Sequence, residues 1–395
     1  MKNHSFTRRE FFGTTAFGTI SLLAARRLSA QPQPKAQELL VYIGTYTTGK
    51  SEGIYVYRLN LASGELRRQS AAGGVVNPSF VAIDPRRKYL YSVAETGEFN
   101  GRKSGAVSAW AINQKTGDLK ALNQQPSMGT GPCYVSVDRS GKFVLTANYG
   151  SGSVTVLPVG RDGSLGAPTD TIQHTGSSVN QGRPTRPHAH CIVPDASGRF
   201  MLAADLGLDK VMIYRFDAKQ GKLAPNTQPF VALKPGTGPR HVAFHPGGQF
   251  AYVINELNST LIAFTYGKTN GTLTEVQVSP TLPDGFKGTN YCADVHVHPS
   301  GQFVYASNRG HDSIAVFGVD RKTGRLIFIE HVSTQGNWPR NFAIDPTGAF
   351  LLAANQKSDS IITYRIDRQS GRLTPTGKML EIPAPVCLKL IPAFS

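Results

Sequence analysis

The chain has 395 residues, including 41 glycines and 25 prolines, and a formal net charge of +16. This much glycine and proline is typical of short strands joined by tight turns, which favours an all-β protein over a helical one. Residues 1–30 hold five basic residues and one acidic residue, so the remainder carries +12. Its lysines and arginines form no dense run and no stripe interleaved with aromatic residues. The charge therefore argues against a nucleic-acid partner and is compatible with a small anionic ligand.

The N-terminus has the pattern of an export signal. Arg8 and Arg9 precede an apolar stretch at residues 13–25, and residues 28–30 (LSA) form a small-x-small cleavage site. A twin arginine in this position resembles a Tat signal spanning residues 1–30, with the general secretory route as the alternative. The apolar stretch is short for a membrane span. We expect a cleaved, periplasmic or secreted protein with no stable membrane insertion.

One pattern repeats from residue 41 onward: an apolar strand, a turn of the Asp/His-Pro-x-Gly type, two further strands, and a turn containing Gly-x-Leu. The spacing of the Gly-x-Leu turns, 46 to 58 residues, matches one four-stranded propeller blade for each repeat. Seven such turns predict a seven-bladed β-propeller, and they occur at Gly64, Gly117, Gly163, Gly221, Gly271, Gly324 and Gly371.

The two ends of the domain are predicted to share a blade. The first repeat has no opening strand and starts directly at residues 39–44, whereas residues 386–391 resemble an opening strand with no blade after it. Placing this strand innermost in the first blade, beside residues 39–66, closes the ring and removes exposed edges. Residues 39–395 are then a single propeller domain, and residues 31–38 are a Pro- and Gln-rich spacer.

Polar side chains are predicted to gather at one mouth of the ring. Because the strands of a blade alternate in direction, the start of each inner strand and the end of each second strand lie on one face. The long connections at residues 96–104, 175–187 and 282–290 fall on this face, where binding loops gather on a rigid scaffold. The ionisable residues predicted at this mouth are Glu95, His188, His190, Arg240, His241, Glu256, Arg309 and Arg340.

These residue types point to acid–base chemistry on an anionic or ester-like ligand. A guanidinium keeps its charge and presents a planar fork of donors, which suits a carboxylate, a phosphate or a developing oxyanion. Glu256 with a histidine is suited to proton transfer near neutral pH. For a single Arg–Glu pair, a salt bridge between blades is the favoured interpretation. Three arginines at equivalent positions favour a ligand site.

Other polar residues have structural interpretations. His245 and His298 take the turn position that aspartate fills in other repeats, so we expect them on the opposite face. The four cysteines are interpreted as buried free thiols. No HExxH, Gly-x-Ser-x-Gly or phosphate-cradling glycine motif occurs, so no metal or organic cofactor is predicted. A recurring Asn or Asp is expected to bond to the backbone, with a Ca²⁺ cage as the alternative, at Asn148, Asp205, Asn255, Asn308 and Asn355.

The chain resembles the seven-bladed propeller lactonase family, which includes propeller-type 6-phosphogluconolactonases and carboxy-cis,cis-muconate cyclases. The matching segments are residues 42–47 (YIGTYT), 186–190 (RPHAH), 238–241 (GPRH), 253–257 (VINEL), 307–313 (SNRGHDS) and 338–341 (WPRN).

The resemblance implies an active site of one histidine, two arginines and one glutamate, which fall on His188, Arg240, Glu256 and Arg309. His190 is the alternative histidine. The remaining mouth residues, Glu95, His190, His241 and Arg340, are then expected to bind substrate. The resemblance also implies that no cofactor is used.

The leading hypothesis is a metal-independent lactonase or lactonising cycloisomerase for an anionic sugar or organic-acid lactone. An export signal separates the protein from cytoplasmic 6-phosphogluconolactone, so the family's best-known substrate is not assigned from the resemblance. Two alternatives are a non-catalytic exported propeller that binds a ligand or a protein, and a Ca²⁺-dependent lactonase propeller.

Overall fold

The computed structural model describes residues 38–179 and 186–394. The predicted signal at residues 1–30 lies outside these ranges, so its assignment stays a prediction. The described residues form seven four-stranded antiparallel sheets, which confirms the predicted seven-bladed β-propeller. Within the same residues, no helix is long and apolar enough to cross a membrane.

The strands are numbered β1 to β28 in chain order, and blades 1 to 7 follow the chain. Blade 1 contains β1 (Glu38–Thr45), β2 (Ile54–Asn60) and β3 (Leu66–Ala72). Blade 2 contains β4 (Val81–Ile83), β5 (Tyr89–Ala94), β6 (Ala106–Ile112) and β7 (Leu119–Pro126). Blade 3 contains β8 (Pro132–Val137), β9 (Phe143–Asn148), β10 (Ser153–Pro158) and β11 (Asp170–Gln173). Blade 4 contains β12 (Ala189–Pro194), β13 (Phe200–Asp205), β14 (Lys210–Asp217) and β15 (Lys222–Ala232).

The second half of the ring repeats this order. Blade 5 contains β16 (Pro239–Phe244), β17 (Phe250–Asn255), β18 (Thr260–Gly267) and β19 (Thr272–Pro280). Blade 6 contains β20 (Tyr291–Val297), β21 (Phe303–Arg309), β22 (Ser313–Val319) and β23 (Leu326–Ser333). Blade 7 contains β24 (Pro339–Ile344), β25 (Phe350–Asn355), a short 3-10 helix η1 (Gln356–Ser358), β26 (Ser360–Ile366) and β27 (Leu373–Glu381). The last strand is β28 (Pro385–Pro392).

The hydrophobic core lies between neighbouring blades. Successive side chains of a strand point to opposite faces, and both faces of β1 are buried. Leu39, Val41 and Ile43 pack in one cluster with residues of blade 7, whereas Leu40 and Tyr42 pack in another with residues of blade 2. A strand buried on both faces reads as a continuous apolar run, which is the pattern of residues 39–43.

The Gly-x-Leu turns join the third and fourth strands of each blade and pack against the preceding blade. All seven glycines have φ between +65° and +89°, a region that residues with a Cβ rarely adopt. A Cβ at each of them would also collide with a large side chain of the preceding blade, for example Phe143 at Gly221. Four tyrosines bond to the carbonyl of the neighbouring blade's turn, as Tyr42 Oη does to Gly117 O at 2.8 Å and Tyr305 Oη to Gly371 O at 2.8 Å.

His245 and His298 also connect blades. Each accepts a backbone N–H of its own turn at Nδ1, from Gly247 and Ser300 respectively. Each Nε2 lies 2.9 Å from a carbonyl of the next blade's turn, Gly301 O for His245 and Gly348 O for His298. The expected role as turn residues therefore holds, and it includes a contact between blades.

The ring closes as predicted. β28 is the innermost strand of blade 1 and pairs antiparallel with β1, from Leu39 opposite Pro392 to Thr45 opposite Pro385. The blade extends further than expected, since β1 begins at Glu38 and the outermost strand ends at Ala72. Closure by one C-terminal strand and three N-terminal strands leaves no inner edge unpaired.

Deletion of residues 385–394 is expected to open the ring, because it leaves the inner edge of β1 without a partner. Lower solubility and a lower thermal unfolding temperature, followed by circular dichroism, are the expected results. The matched control moves residues 385–393 to a place directly before Glu38 through a short glycine-containing turn. This order suits the fold because Ala393 N already donates to Glu38 O at 3.1 Å. A truncated protein that stays soluble and unfolds at the wild-type temperature would contradict the closure.

Candidate active site

Six of the seven inner strands begin with a β-bulge, and those of blades 3, 4, 5 and 7 bear on the site. In blade 5, Pro239 pairs with Asn255 and His241 pairs with Ile254, so Arg240 has no residue opposite it. The same shift occurs at the start of β8, β12 and β24. A bulge bends the strand and re-aims the side chain of the extra residue. The four extra residues are Cys133, His190, Arg240 and Arg340.

A cavity of about 200 Å³ lies where these bulges meet the ends of the second strands. Three lining residues are bulge residues, and four follow or end a second strand. The repeat pattern predicts that these residues converge, because the starts of the inner strands and the ends of the second strands lie on one face of every blade. The complete lining is Glu95, Cys133, Tyr149, His190, Glu256, Arg309 and Arg340.

Glu256 is held between two arginines. Its Oε2 accepts from Arg240 Nε at 3.0 Å and lies 2.8 Å from Arg309 Nη2. The side chains are 8, 2 and 5 % exposed, respectively. Two guanidinium groups at these distances favour the ionised carboxylate. Glu256 is therefore an anion fixed at the wall of the cavity.

The backbone of blade 6 fixes both guanidinium groups. Arg309 Nε donates to Tyr291 O at 3.1 Å and Nη2 donates to Cys292 O at 3.1 Å. Arg240 Nη1 donates to Ala293 O. Burial lowers the pKa of Arg309 to about 10, and the neighbouring Glu256 opposes that shift. Both arginines therefore remain cations at neutral pH.

A second carboxylate and a third arginine occupy another part of the wall. Glu95 accepts hydrogen bonds from Tyr46 Oη, at 3.0 Å to Oε2, and from Ser79 Oγ. Arg340 lies with its Cζ 5.4 Å from the centre of the Tyr46 ring. Burial lowers the pKa of Arg340, but Tyr46, Glu95 and Glu256 outweigh it and the pKa is raised. Arg340 is a permanent cation facing the cavity.

His190 lines the cavity, and His188 does not. His188 Nδ1 lies 2.8 Å from Tyr149 O, and its ring stacks on that of Tyr149 with centroids 4.4 Å apart. Burial, followed by the charge of Arg240, lowers the pKa of His190 well below its usual value. His190 is therefore neutral at physiological pH. Of the two histidines left open by the sequence, the geometry favours His190.

A buried network lies directly beneath Arg240. Arg240 Nη1 is 3.3 Å from His241 Nε2, and His241 Nδ1 is 2.8 Å from Asp294 Oδ1. Burial, then the charge of Arg240, lowers the pKa of His241 to about 4. The neutral ring is thus a donor to Asp294 and an acceptor towards Arg240. His241 supports the site from behind and is absent from the cavity lining, where we expected it to bind substrate.

Sequence reasoning gave no role to Tyr46 and Asp294. Tyr46 falls in the segment at residues 42–47 that carries the family resemblance, which was the available signal. Asp294 takes the position of a polar residue near the start of an inner strand, but nothing in the sequence shows that it pairs with His241 and His296.

Four of the five recurring Asn and Asp side chains bond to the backbone as expected, with Asp205 accepting from His188 N, whereas Asn255 Nδ2 donates to Thr260 Oγ1 at 2.9 Å. The Nδ2 atoms of Asn148, Asn308 and Asn355 donate to Ser127 O, Thr281 O and Thr334 O at 2.7–3.0 Å. The four cysteines are free and buried, as predicted. Residues 38–179 and 186–394 contain no group of three or more His, Cys, Asp or Glu side chains placed to hold one metal ion.

The chain belongs to the family of seven-bladed β-propeller lactonases, whose family model matches residues 40–390. It is 42% identical over 350 residues to a 6-phosphogluconolactonase of Bacillus subtilis, covering 89% of this chain and 97% of the relative. It is 35% identical to a 6-phosphogluconolactonase of Formosa agariphila, covering 77% and 86%.

A solved structure gives the same result. The Pseudomonas aeruginosa periplasmic gluconolactonase is 34% identical and superposes with a TM-score of 0.85, covering 90% of this chain and 99% of that one. The expected membership of the seven-bladed propeller lactonase family is thereby confirmed. The named relatives support the view that the chain is a 6-phosphogluconolactonase-like lactonase.

His190→Asn is expected to lower the turnover of a lactone by about tenfold or more, since it removes an imidazole from the cavity wall. His188→Asn is expected to change turnover less than threefold, a change of about 0.6 kcal/mol in barrier. Steady-state kinetics on both purified variants, with circular dichroism to check folding, compares them. A larger loss in His188→Asn than in His190→Asn would assign the functional histidine to the other position.

Proposed function

We propose that the protein is an exported, metal-independent lactonase that hydrolyses an anionic sugar or organic-acid lactone. The observation that carries the proposal is Glu256, an ionised carboxylate held by Arg240 and Arg309 at the wall of a cavity that also contains neutral His190. This set offers a base, a cation for an oxyanion and a neutral donor or acceptor within one small volume.

Arg309 and Arg340 bind the lactone. Both line the cavity, and both keep their charge there. A guanidinium placed against the lactone carbonyl stabilises the negative charge that develops on its oxygen when water attacks. Arg240 is buried behind Glu256 and outside the lining, so it acts as a positioning residue for the carboxylate.

Glu256 activates the attacking water. It accepts a proton from the water as the C–O bond to the carbonyl carbon forms, and the tetrahedral intermediate then expels the ring oxygen. The proton passes from Glu256 to that oxygen, which leaves a hydroxy acid. His190 hydrogen bonds to the reacting oxygen atoms in its neutral state. Because Glu256 takes one proton from the water and gives it to the ring oxygen, the hydrolysis needs no further acid.

Hydrolysis fits the site better than lactonising cycloisomerisation. Adding a carboxylate across a carbon–carbon double bond requires an acid that protonates carbon. Glu256 is held as an anion, and His190 has a pKa well below its usual value because of burial and Arg240. Neither group is protonated at neutral pH, whereas both suit an attack by water.

The anionic character of the substrate is inferred from charge. The cavity lining holds Arg309 and Arg340 against Glu95 and Glu256, and the positive charge of Arg240 lies directly behind Glu256. A cavity of about 200 Å³ is smaller than the roughly 300–1,000 Å³ of drug-sized pockets, which suits one sugar ring. The relatives are named for 6-phosphogluconolactone and gluconolactone, each of which contains one sugar ring.

Export separates the protein from cytoplasmic metabolites. The twin arginine at Arg8 and Arg9 supports translocation, and a 34% identical relative is described as periplasmic. The proposed substrate is therefore an anionic lactone found outside the cytoplasm.

The test is a pH-indicator screen of the purified protein, lacking residues 1–30, against glucono-1,5-lactone, 6-phosphogluconolactone and muconolactone. Glu256→Gln should fold normally and lower kcat by roughly 10²–10⁴, because the base is lost while its shape is kept. Glu381→Gln, on the outermost strand of blade 7, is the matched control. Activity abolished by EDTA would contradict the metal-independent proposal, and full activity of Glu256→Gln would remove Glu256 from the mechanism.

Residues 1–35 fused to a folded reporter are expected to direct the reporter to the periplasm. Arg8→Lys with Arg9→Lys should stop the export, because the twin arginine is the feature that the Tat route reads. Fractionation of cells that express the two fusions measures the difference. Continued export of the double variant would assign the signal to the general secretory route.

A further inference from the structure

Trp338 lies at a position of the repeat where the backbone has a positive φ angle. In five blades, a residue with positive φ precedes the proline at the start of the inner strand, and in blade 1 this residue is Ala384 (φ +41°), whose carbonyl accepts from Tyr46 N at 3.2 Å. In the other four blades these residues are Asn77 (φ +46°), Gly131 (+57°), Gly238 (+64°) and Trp338 (+68°). In each blade the carbonyl of this residue accepts from the backbone N–H at the mouth end of the second strand, that of Glu95, Tyr149, Glu256 and Gln356, respectively. The four positions are therefore structurally equivalent.

Glycine and asparagine are the residues that adopt this left-handed conformation most readily, whereas a bulky side chain there is strained. Hydrogen bonds to the backbone N–H and to the C=O of Trp338 keep the residue in this conformation. Its N–H donates to Asp312 Oδ1 at 2.8 Å, and its carbonyl accepts from Gln356 N at 3.0 Å. Strain of this kind persists where the surroundings over-determine it, and such positions cluster at ligand sites. The equivalent residues of the other four blades are asparagine, glycine and alanine, so the fold itself does not require an indole at this position.

Two cationic side chains contact the indole ring of Trp338 beside the cavity. Arg309, which lines the cavity, has its Cζ 5.5 Å from the indole centroid, and Lys357 Nζ lies 3.4 Å from it. A cation over an indole face is attracted to the ring quadrupole, which offsets the repulsion between the two positive groups. Lys357 is exposed, and among the described residues no carboxylate forms a salt bridge with it.

We propose that Lys357, Trp338 and Arg309 form an entrance subsite that binds the anionic substituent of the lactone, a phosphate ester or a carboxylate. The subsite deepens the proposed function and rests on it. Arg309 belongs to both parts, so the reacting carbonyl lies in the cavity while the anionic end of the same molecule contacts Lys357. Trp338 holds the two cations at a fixed separation, and this requirement explains a tryptophan in a strained position.

The subsite predicts a selective effect. Lys357→Met should raise the KM for 6-phosphogluconolactone by about tenfold and change that for glucono-1,5-lactone less than twofold, because only the first carries the anionic substituent. Trp338→Asn should raise the KM for 6-phosphogluconolactone by a similar factor. It should fold normally, since Asn77 holds the same conformation in blade 2. Lys378→Met, an exposed lysine on β27 of the same blade, is the matched control and should leave both substrates unaffected.

A direct binding measurement separates this proposal from the catalytic one. Calorimetric titration with 6-phosphogluconate and with gluconate requires no turnover. Lys357→Met should weaken the binding of 6-phosphogluconate about tenfold and leave that of gluconate unchanged. If the wild-type protein hydrolyses no lactone but shows this pattern, the proposed hydrolysis fails and the subsite stands. Equal effects on both ligands, or no effect of either variant on 6-phosphogluconate, would overturn the subsite.

Discussion

The pairing of β28 with β1 is the constraint on which the rest of the structure depends. Seven blades place their inner strands around one axis only if the last blade meets the first, and a strand from the C-terminus makes that contact. The closure also reaches the site. Asn341 Oδ1 accepts from Leu388 N of the closing strand at 2.7 Å, and Asn341 Nδ2 donates to Asp294. Asp294 holds His241, which contacts Arg240. The strand that closes the ring is thus three side chains away from the arginine that positions Glu256.

These hydrogen bonds explain how three arginines are tolerated near one axis. Removing a charge from water costs several kcal/mol unless the charge is paired and its remaining donors are satisfied. The guanidinium groups of Arg240 and Arg309 have a carboxylate and backbone carbonyls as partners, and Arg340 lies near Glu95 and Tyr46. The bulges contribute because an extra residue at the start of a strand carries its side chain away from the apolar core between blades. The cavity is therefore organised before a substrate enters, and the reaction requires little rearrangement of its dipoles.

The periodic part of the structure could be predicted from sequence, and the aperiodic part could not. The seven Gly-x-Leu turns gave the number of blades because a positive φ and a close packing contact require glycine at each of them. The choice between His188 and His190 depends on which residue begins the inner strand of blade 4. Pro187 resembles the proline that opens the other inner strands, which suggests His188 as the residue after it. In the structure Ala189 takes that place, so His190 is the bulge residue. A constant spacing would have shown this, because Pro132, Ala189, Pro239 and Pro339 all lie eleven residues before the aromatic residue that begins the next strand.

Side-chain pairing across blades had no comparable signal. His241 and Asp294 are 53 residues apart, and the sequence of neither blade indicates that one ring nitrogen faces a carboxylate while the other faces Arg240. The same holds for Trp338, whose position is visible in the repeat but whose strain is visible only in φ. A left-handed conformation costs a residue with a Cβ roughly 1–2 kcal/mol, a sizeable share of a typical folding free energy of about 5–15 kcal/mol. A repeat protein tolerates such a departure in one blade because Asn77, Gly131 and Gly238 keep the favoured residue types at the equivalent positions, and positions that break a repeat are where functional groups are expected.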